Sequence, residues 1–170
     1  MERREVGEEE KAGGSPRAMR NRAVIVGIGN LILKDEGVGI HVVRELAKRE
    51  LPPGVKVIDG GTATIDLLPL MYETKRIIVI DAMKGRGQPG TLYRYRAEDL
   101  LDTPDMPFSL HQMGFLNVMR LARQLGGHRA YLTVIGVEPG KISFGMELTP
   151  EVKNVVPKVI EAVLEELGGL

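Results

Sequence analysis

Three apolar runs rich in β-branched residues constrain the fold of this chain more than any other feature. They read AVIVGI, RIIVI and YLTVIGV, and strands without polar alternation must be covered on both faces. Segments with helical periodicity lie between them, which favours βαβ units and a parallel sheet. The predicted strands are 23–28, 55–58, 76–80, 91–96 and 130–137, and the predicted helices are 36–49, 65–73, 114–125 and a last one that begins at Pro150 with Thr149 as its N-cap.

The segment TLYRYR alternates in polarity after the loop KGRGQPG, which is typical of an antiparallel edge strand. The predicted fold class is therefore α/β: a three-layer, twisted, mostly parallel five-stranded sheet with helices on both faces. Residues 1–22 are polar and mixed in charge, so we expect a disordered N-terminal tail. Residues 23–170 then form a single domain.

The charge balance and the absent residue types exclude several functions. Lys plus Arg and Asp plus Glu both number 23, so neither nucleic acid nor an anionic membrane is an expected partner. No apolar run approaches the roughly 20 residues of a membrane span, and no apolar leader segment precedes the first strand. A cytoplasmic monomer is expected. The chain has no cysteine, which excludes a thiol nucleophile and thiolate metal ligands of its own.

The turn after the first strand resembles the phosphate-binding turn of dinucleotide enzymes. It begins Gly27-x-Gly29, but Ile32 occupies the position of the third glycine. Asp35 and Glu36 follow, and their charge would repel a pyrophosphate by an energy of about 1 kcal/mol or more. Asp59, at the end of the second strand, is placed where it could hold a ribose. A dinucleotide-binding oxidoreductase is therefore one alternative function.

Acidic residues follow two of the predicted strands. Asp35 and Glu36 have a structural explanation as an N-cap and a first-turn acid of the helix. Gly37 and Gly39 are poor helix formers in that same turn. Their presence indicates that another group approaches the backbone closely there. Asp81 follows IIVI directly, and it is either a strand terminator or a ligand on a rigid element.

One histidine is predicted to join these acids. In FSLHQMG, Ser109 and Gln112 match a capping box, so His111 falls in the first turn of a helix. There it is either a surface histidine at a helix start or a ligand. The positive end of the helix dipole favours a neutral imidazole, the form that binds metals. In a parallel sheet Glu36, Asp81 and His111 converge at the carboxyl edge, where two carboxylates and an imidazole suit a divalent cation.

Several motifs together resemble the hydrogenase maturation endopeptidases, which process the large-subunit precursors of [NiFe] hydrogenases. The motifs are GIGNLILKDEGVGIHVVREL, DGGTA, IIVIDA, SLHQMGF, TVIGVEP and ELTPEV, in this order. The resemblance implies a five-stranded α/β fold and assigns Glu36, Asp81 and His111 as metal-binding and catalytic residues. It also implies a substrate-recognition loop, which consists of Asp59, Gly60, Gly61 and Thr62.

The resemblance further implies that nickel is presented by the large-subunit precursor, without a tightly bound cofactor in the protease itself. Cleavage then removes the C-terminal peptide of the precursor. The absence of cysteine, of Gly-x-Ser-x-Gly and of His-Glu-x-x-His favours metal-assisted hydrolysis over a covalent intermediate or an ordinary zinc peptidase. Nickel would act as a Lewis acid or as a recognition element. A non-enzymatic nickel carrier is the second alternative.

Overall fold

The computed structural model describes residues 21–102, 110–128 and 130–168, without the side chains at positions 21 and 110–113. Five strands form one sheet in the order β2-β1-β3-β5-β4. The neighbouring strands β2, β1, β3 and β5 run parallel to one another. The strand β4 pairs antiparallel with β5 at the edge of the sheet. The strands are β1 (Asn21–Ile28), β2 (Val55–Gly61), β3 (Thr74–Ala82), β4 (Leu92–Arg96) and β5 (Tyr131–Val137).

Helices cover both faces of the sheet, because the central strands carry apolar side chains on both sides. On one face, α1 and α5 pack on residues such as Ile25 and Ile78. On the other face, α2, α3 and α4 pack on residues such as Val26 and Val79. The predicted three-layer α/β fold is confirmed. The helices are α1 (Val38–Leu46), α2 (Leu67–Glu73), α3 (Ala97–Leu101), α4 (Leu110–Gln124) and α5 (Pro150–Gly168).

The element bounds differ from the sequence prediction at several points. The strand β1 begins at Asn21, two residues early, because Asn21 pairs with Thr74 of β3; residues 1–20 of the expected tail lie outside the described residues. A 3₁₀ turn, Lys34–Gly37, precedes α1, so the helix begins later than predicted. The short helix α3 was not predicted, and α4 begins before residue 114.

The strand order reverses direction between β1 and β3. The chain leaves β1 through α1 toward β2 on one side and returns through α2 to β3 on the other. In open α/β sheets such a switch point leaves a crevice at the carboxyl ends of the strands, and this crevice is the usual ligand site. Among the helices within the described ranges, none is both long and apolar enough to cross a bilayer.

Candidate functional site

Asp81 lies at the carboxyl end of β3, with only 3% of its surface exposed. Strand alternation places it on the face of Val79, which is the face covered by α4. Its Oδ1 accepts a hydrogen bond from the backbone N–H of Ala82 at 2.8 Å. Burial raises the pKa of Asp81 well above its ordinary value, and the charge of Glu36 raises it further, against the opposing effect of the Ala82 hydrogen bond.

Glu36 lies on the 3₁₀ turn between β1 and α1 and is half-buried. This turn contacts β3, and the charge of Glu36 contributes to the raised pKa of Asp81. The turn that carries Glu36 and the strand that carries Asp81 therefore lie against each other at the switch point. Two neighbouring carboxylates at this depth attract a cation, because like charges in a partly dry site repel each other without one.

His111 is the second residue of α4, and its side chain lies outside the described ones. The position of the helix can nevertheless be located from Gly114, which lies about one turn after His111. A Cβ on Gly114 would lie 2.6 Å from Oγ1 of Thr64, so the start of α4 packs against the segment that follows β2. The first turn of α4 therefore lies at the carboxyl edge of the sheet, on the face of Asp81. Ser109, the predicted cap, lies outside the described residues.

The carboxylate pair is the part of the predicted metal site that the structure describes. Within the described ranges, no three His, Cys, Asp or Glu side chains are arranged to hold a metal ion. The assignment of Glu36, Asp81 and His111 as one ligand set stays a prediction.

The interpretation of Asp35 as a helix cap is wrong. The N-cap positions of the 3₁₀ turn and of α1 are Leu33 and Gly37, and neither uses a side-chain hydrogen bond. Asp35 is instead fully buried. Its carboxylate accepts hydrogen bonds from Gly140, Lys141 and Thr149, more than 100 residues later. This contact ties the turn that carries Glu36 to the loop before α5.

The space beside the glycines of this turn is occupied by the protein's own backbone. A Cβ on Gly29 would lie 2.0 Å from the carbonyl oxygen of Glu36, and one on Gly39 would lie 2.2 Å from that of Ile80. The close approach that these glycines indicated is therefore made by the protein backbone. A pyrophosphate would need the space above Gly29 that the 3₁₀ turn occupies, so the geometry does not support the dinucleotide alternative.

The segment from Asp59 to Thr62 lies beside this turn. The N–H of Gly29 donates to the carbonyl of Gly61 at 2.9 Å, and Gly61 adopts a φ of +51°, which favours glycine. The Asp59 carboxylate accepts from the N–H of Gly61 at 3.2 Å and from Arg44 at 3.4 Å. Asp59 is thus hydrogen-bonded to its own neighbours, and the exposed Thr62 lies at the same edge of the sheet as Asp81.

Glu138 is a buried acid at this edge that the sequence reasoning missed. It follows β5 directly and Asp81 lies at the carboxyl end of β3, so the same rule would have selected it. Its Oε2 accepts hydrogen bonds from the N–H of Gly85 and the hydroxyl of Tyr93, both at 2.6 Å. Desolvation and the Glu138 hydrogen bond raise the pKa of Tyr93. Glu138 therefore shapes the loop that continues from β3 after Asp81.

The sequence is similar to a family of processing enzymes over most of its length. A family model described as "Hydrogenase maturation protease" matches residues 40–166. The "Hydrogenase expression/formation protein HupD" of Rhodobacter capsulatus is 35% identical over 151 residues, which cover 86% of this chain and 71% of that protein. The "Hydrogenase 2 maturation protease" of Escherichia coli is 34% identical over 148 residues, with 86% and 90% covered.

Solved structures agree with the sequence comparison. The hydrogenase maturating endopeptidase HybD from E. coli superposes with a TM-score of 0.80 at 33% identity, covering 87% of this chain and 93% of that one. The [NiFe] hydrogenase maturation protease HybD from Thermococcus kodakarensis gives 0.70 at 32% identity, with 86% and 98% covered. The fold and the extent of these matches place this chain in the hydrogenase maturation protease family.

Proposed function

We propose that this protein is an endopeptidase that removes the C-terminal peptide from the large-subunit precursor of a [NiFe] hydrogenase. It recognises nickel already bound in that precursor. Glu36, Asp81 and His111 complete the coordination of this nickel, so the metal is part of the substrate and the protease needs no tightly bound cofactor. The loop of Asp59, Gly60, Gly61 and Thr62 contacts the precursor beside the nickel.

The observation that carries this proposal is the buried carboxylate of Asp81 beside Glu36 at the switch point of the sheet. A carboxyl group this deeply buried favours the neutral acid, as the raised pKa of Asp81 indicates. A divalent cation compensates both carboxylates at once and replaces the proton. Because the pair offers only oxygen ligands, it binds free nickel weakly, and selectivity comes from the ligands that the precursor supplies.

The chain's own residues orient the substrate and move protons. Glu36 and Asp81 hold the nickel from two rigid elements, which fixes the neighbouring peptide bond in register. Nickel supplies Lewis-acid polarisation of the scissile carbonyl or of a water. A carboxylate of this set or a second water would accept the proton of the attacking water.

Incubation of the protein with a purified large-subunit precursor, loaded with nickel or free of it, tests this function. We expect a loss of mass at the precursor C-terminus only with the nickel-loaded form. Glu36→Gln, Asp81→Asn and His111→Ala should each abolish processing while the far-UV spectrum stays unchanged. Nickel retention by the wild type without any cleavage would instead support the carrier alternative and contradict the proposal.

Two matched variants control for the loss of a charge or an imidazole. Glu45→Gln removes an exposed carboxylate of α1 that pairs with Lys48. His41→Gln keeps a donor for the carbonyl of Met146, which lies 3.1 Å from Nε2 of His41. Both variants should process the precursor at the wild-type rate.

A cytoplasmic location and a monomeric state complete the proposal. Cell fractionation and the mass in solution measured by light scattering test these two points. Recovery with the membrane fraction, or a stable dimer at micromolar concentration, would contradict them.

A further inference from the structure

The carboxylate of Asp35 is saturated by donors from a single distant loop. Its Oδ1 accepts from the N–H of Thr149 at 2.7 Å. Its Oδ2 accepts from the N–H of Gly140 at 2.9 Å, the N–H of Lys141 at 2.8 Å and the hydroxyl of Thr149 at 2.7 Å. Every partner donates, which matches a carboxylate, since a carboxylate only accepts. Asp35 therefore acts as a buried anchor for the loop 138–149.

Backbone hydrogen bonds extend this anchor along the turn. The N–H of Lys34 donates to the carbonyl of Gly145 at 2.8 Å, and the N–H of Gly145 donates to the carbonyl of Ile32 at 3.0 Å. Leu33 and Gly145 form an isolated parallel bridge. The segment 32–37, which carries Glu36, and the loop 138–149 therefore form one paired unit at the carboxyl edge.

This paired unit exposes apolar side chains that the described chain does not cover. Phe144 is 84% exposed, Met146 61% and Ile32 51%. Phe144 and Met146 flank Gly145, the residue that pairs with the segment of Ile32. We call Ile32, Phe144 and Met146 the apolar rim. Contiguous exposed apolar side chains on one surface are typical of an interaction site.

We propose that Asp35 is a positioning residue of the processing site, which locks Glu36 and the apolar rim into one preformed surface for the hydrogenase precursor. This inference rests on the proposed function. The occupant is assigned as the precursor because the rim is continuous with the nickel-binding turn: Ile32 precedes Glu36 by four residues within the same hydrogen-bonded segment. A precursor whose nickel reaches Glu36 also meets Ile32 on the same turn, and an apolar stretch of its chain covers Phe144 on the paired loop.

The role of Asp35 is tested by Asp35→Asn, which places an amide N–H₂ against backbone donors. We expect kcat/KM for the nickel-loaded precursor to fall at least about tenfold, as expected when a buried charged acceptor is lost. Amide exchange should accelerate at Gly140, Lys141 and Thr149 but not in β1 and β3. A uniform acceleration across the sheet, or wild-type processing by Asp35→Asn, would overturn the assignment.

A second pair of variants avoids dependence on the folding of Asp35→Asn. Thr149→Val removes only the hydroxyl donor to Asp35, whereas Thr149→Ser keeps it. We expect Thr149→Val to lower kcat/KM and Thr149→Ser to keep it at the wild-type value. Equal rates for the two variants would contradict an anchor that acts through Asp35.

The apolar rim is tested by Phe144→Ser, which removes an exposed side chain without touching the core. We expect KM for the precursor to rise about tenfold, as for an interface anchor, while kcat and the melting temperature stay unchanged. An unchanged KM combined with a loss of self-association would show that a second copy covers the rim and would overturn this part. If the wild type cleaves no precursor at all, the proposed function is wrong. If the wild type cleaves the precursor and the variants do so at the same rate, only the present inference is wrong.

Discussion

Gly27 of β1 and Gly39 of α1 lie in backbone contact: a Cβ on Gly27 would stand 2.2 Å from the carbonyl oxygen of Gly39. The two glycines thereby let the first helix approach the carboxyl ends of the central strands more closely than any side chain allows. Glu36 lies three residues before Gly39, and Asp81 follows Ile80, whose carbonyl Gly39 also approaches. The glycines set the distance between the two acids.

Gly39→Ala should therefore displace α1 from the sheet. Its Cβ would lie 2.2 Å from the carbonyl of Ile80 and 2.4 Å from that of Ile28, and backbone atoms at this depth cannot move aside. We expect the free energy of unfolding to fall by about 3 kcal/mol, the upper range for overpacking, and processing to be lost. Denaturant titration measures the first effect. Gly168→Ala, where no atom lies within 4 Å of the added Cβ, is the control and should leave stability unchanged.

Asp81→Asn should change how stability depends on pH in the metal-free protein. The pKa of Asp81 is raised in the folded state, chiefly by burial. The stabilisation from its neutral form is therefore complete below the ordinary carboxyl pKa of about 4 and is lost as pH rises through the folded-state pKa. Asparagine stays neutral and keeps an oxygen for the N–H of Ala82, so this loss should disappear.

The measurement is the free energy of unfolding of wild type and Asp81→Asn between about pH 4 and pH 8. The advantage of the variant should grow as pH increases. A constant difference between the two curves would contradict a raised pKa at Asp81. Glu36→Gln is the companion variant: it removes the neighbouring like charge and should weaken the pH dependence without abolishing it.

Tyr93→Phe should loosen the loop that continues from β3. The hydroxyl of Tyr93 donates to Glu138 at 2.6 Å and accepts from the N–H of Gly87 at 2.9 Å. Its removal takes a hydrogen-bond donor from the buried carboxylate of Glu138, which costs about 1–2 kcal/mol of unfolding free energy. Amide exchange at Gly87 should accelerate. Tyr95→Phe, on the ring stacked against Tyr93 at 6.3 Å, is the control and should leave that exchange rate unchanged.

Glu166→Ala should lower stability without affecting the site, because Glu166 lies at the amino-terminal edge of the sheet. Its carboxylate pairs with Arg76 at 3.4 Å and accepts from the hydroxyl of Thr133 at 3.1 Å, and both members of the ion pair are mostly buried. We expect a loss of about 2 kcal/mol in unfolding free energy, since the largely buried guanidinium of Arg76 loses its carboxylate and keeps the carbonyl of residue 166 and the ring of Tyr131. The processing rate of the folded variant should equal that of the wild type.

The adjacent exposed acid is the control for Glu166. Glu165 pairs with Arg94 at 3.0 Å but is 69% exposed, so Glu165→Ala should cost well under about 1 kcal/mol. Similar losses for the two variants, or a lowered processing rate in Glu166→Ala, would contradict a purely structural role of this edge.

The sequence by itself determined the layer architecture. The continuous apolar runs of β1, β3 and β5 have to be buried on both faces, and the amphipathic segments between them have to cover those faces. The alternation in β4 placed it at an antiparallel edge, as the structure confirms. Asp81 was predictable for the same reason, because its position follows from the end of one strand and the shared direction of its neighbours.

Only the tertiary structure determined the different roles of the two adjacent acids, Asp35 and Glu36. Local rules treat both as helix-start acids. Asp35 is nevertheless buried and accepts hydrogen bonds from Gly140 and Thr149, whereas the charge of Glu36 acts on Asp81. Likewise, the glycines of the turn contact the chain's own backbone and leave no room for a phosphate. Such contacts join residues that are far apart in sequence, and their geometry is fixed only when the strands pair and α1 packs onto them.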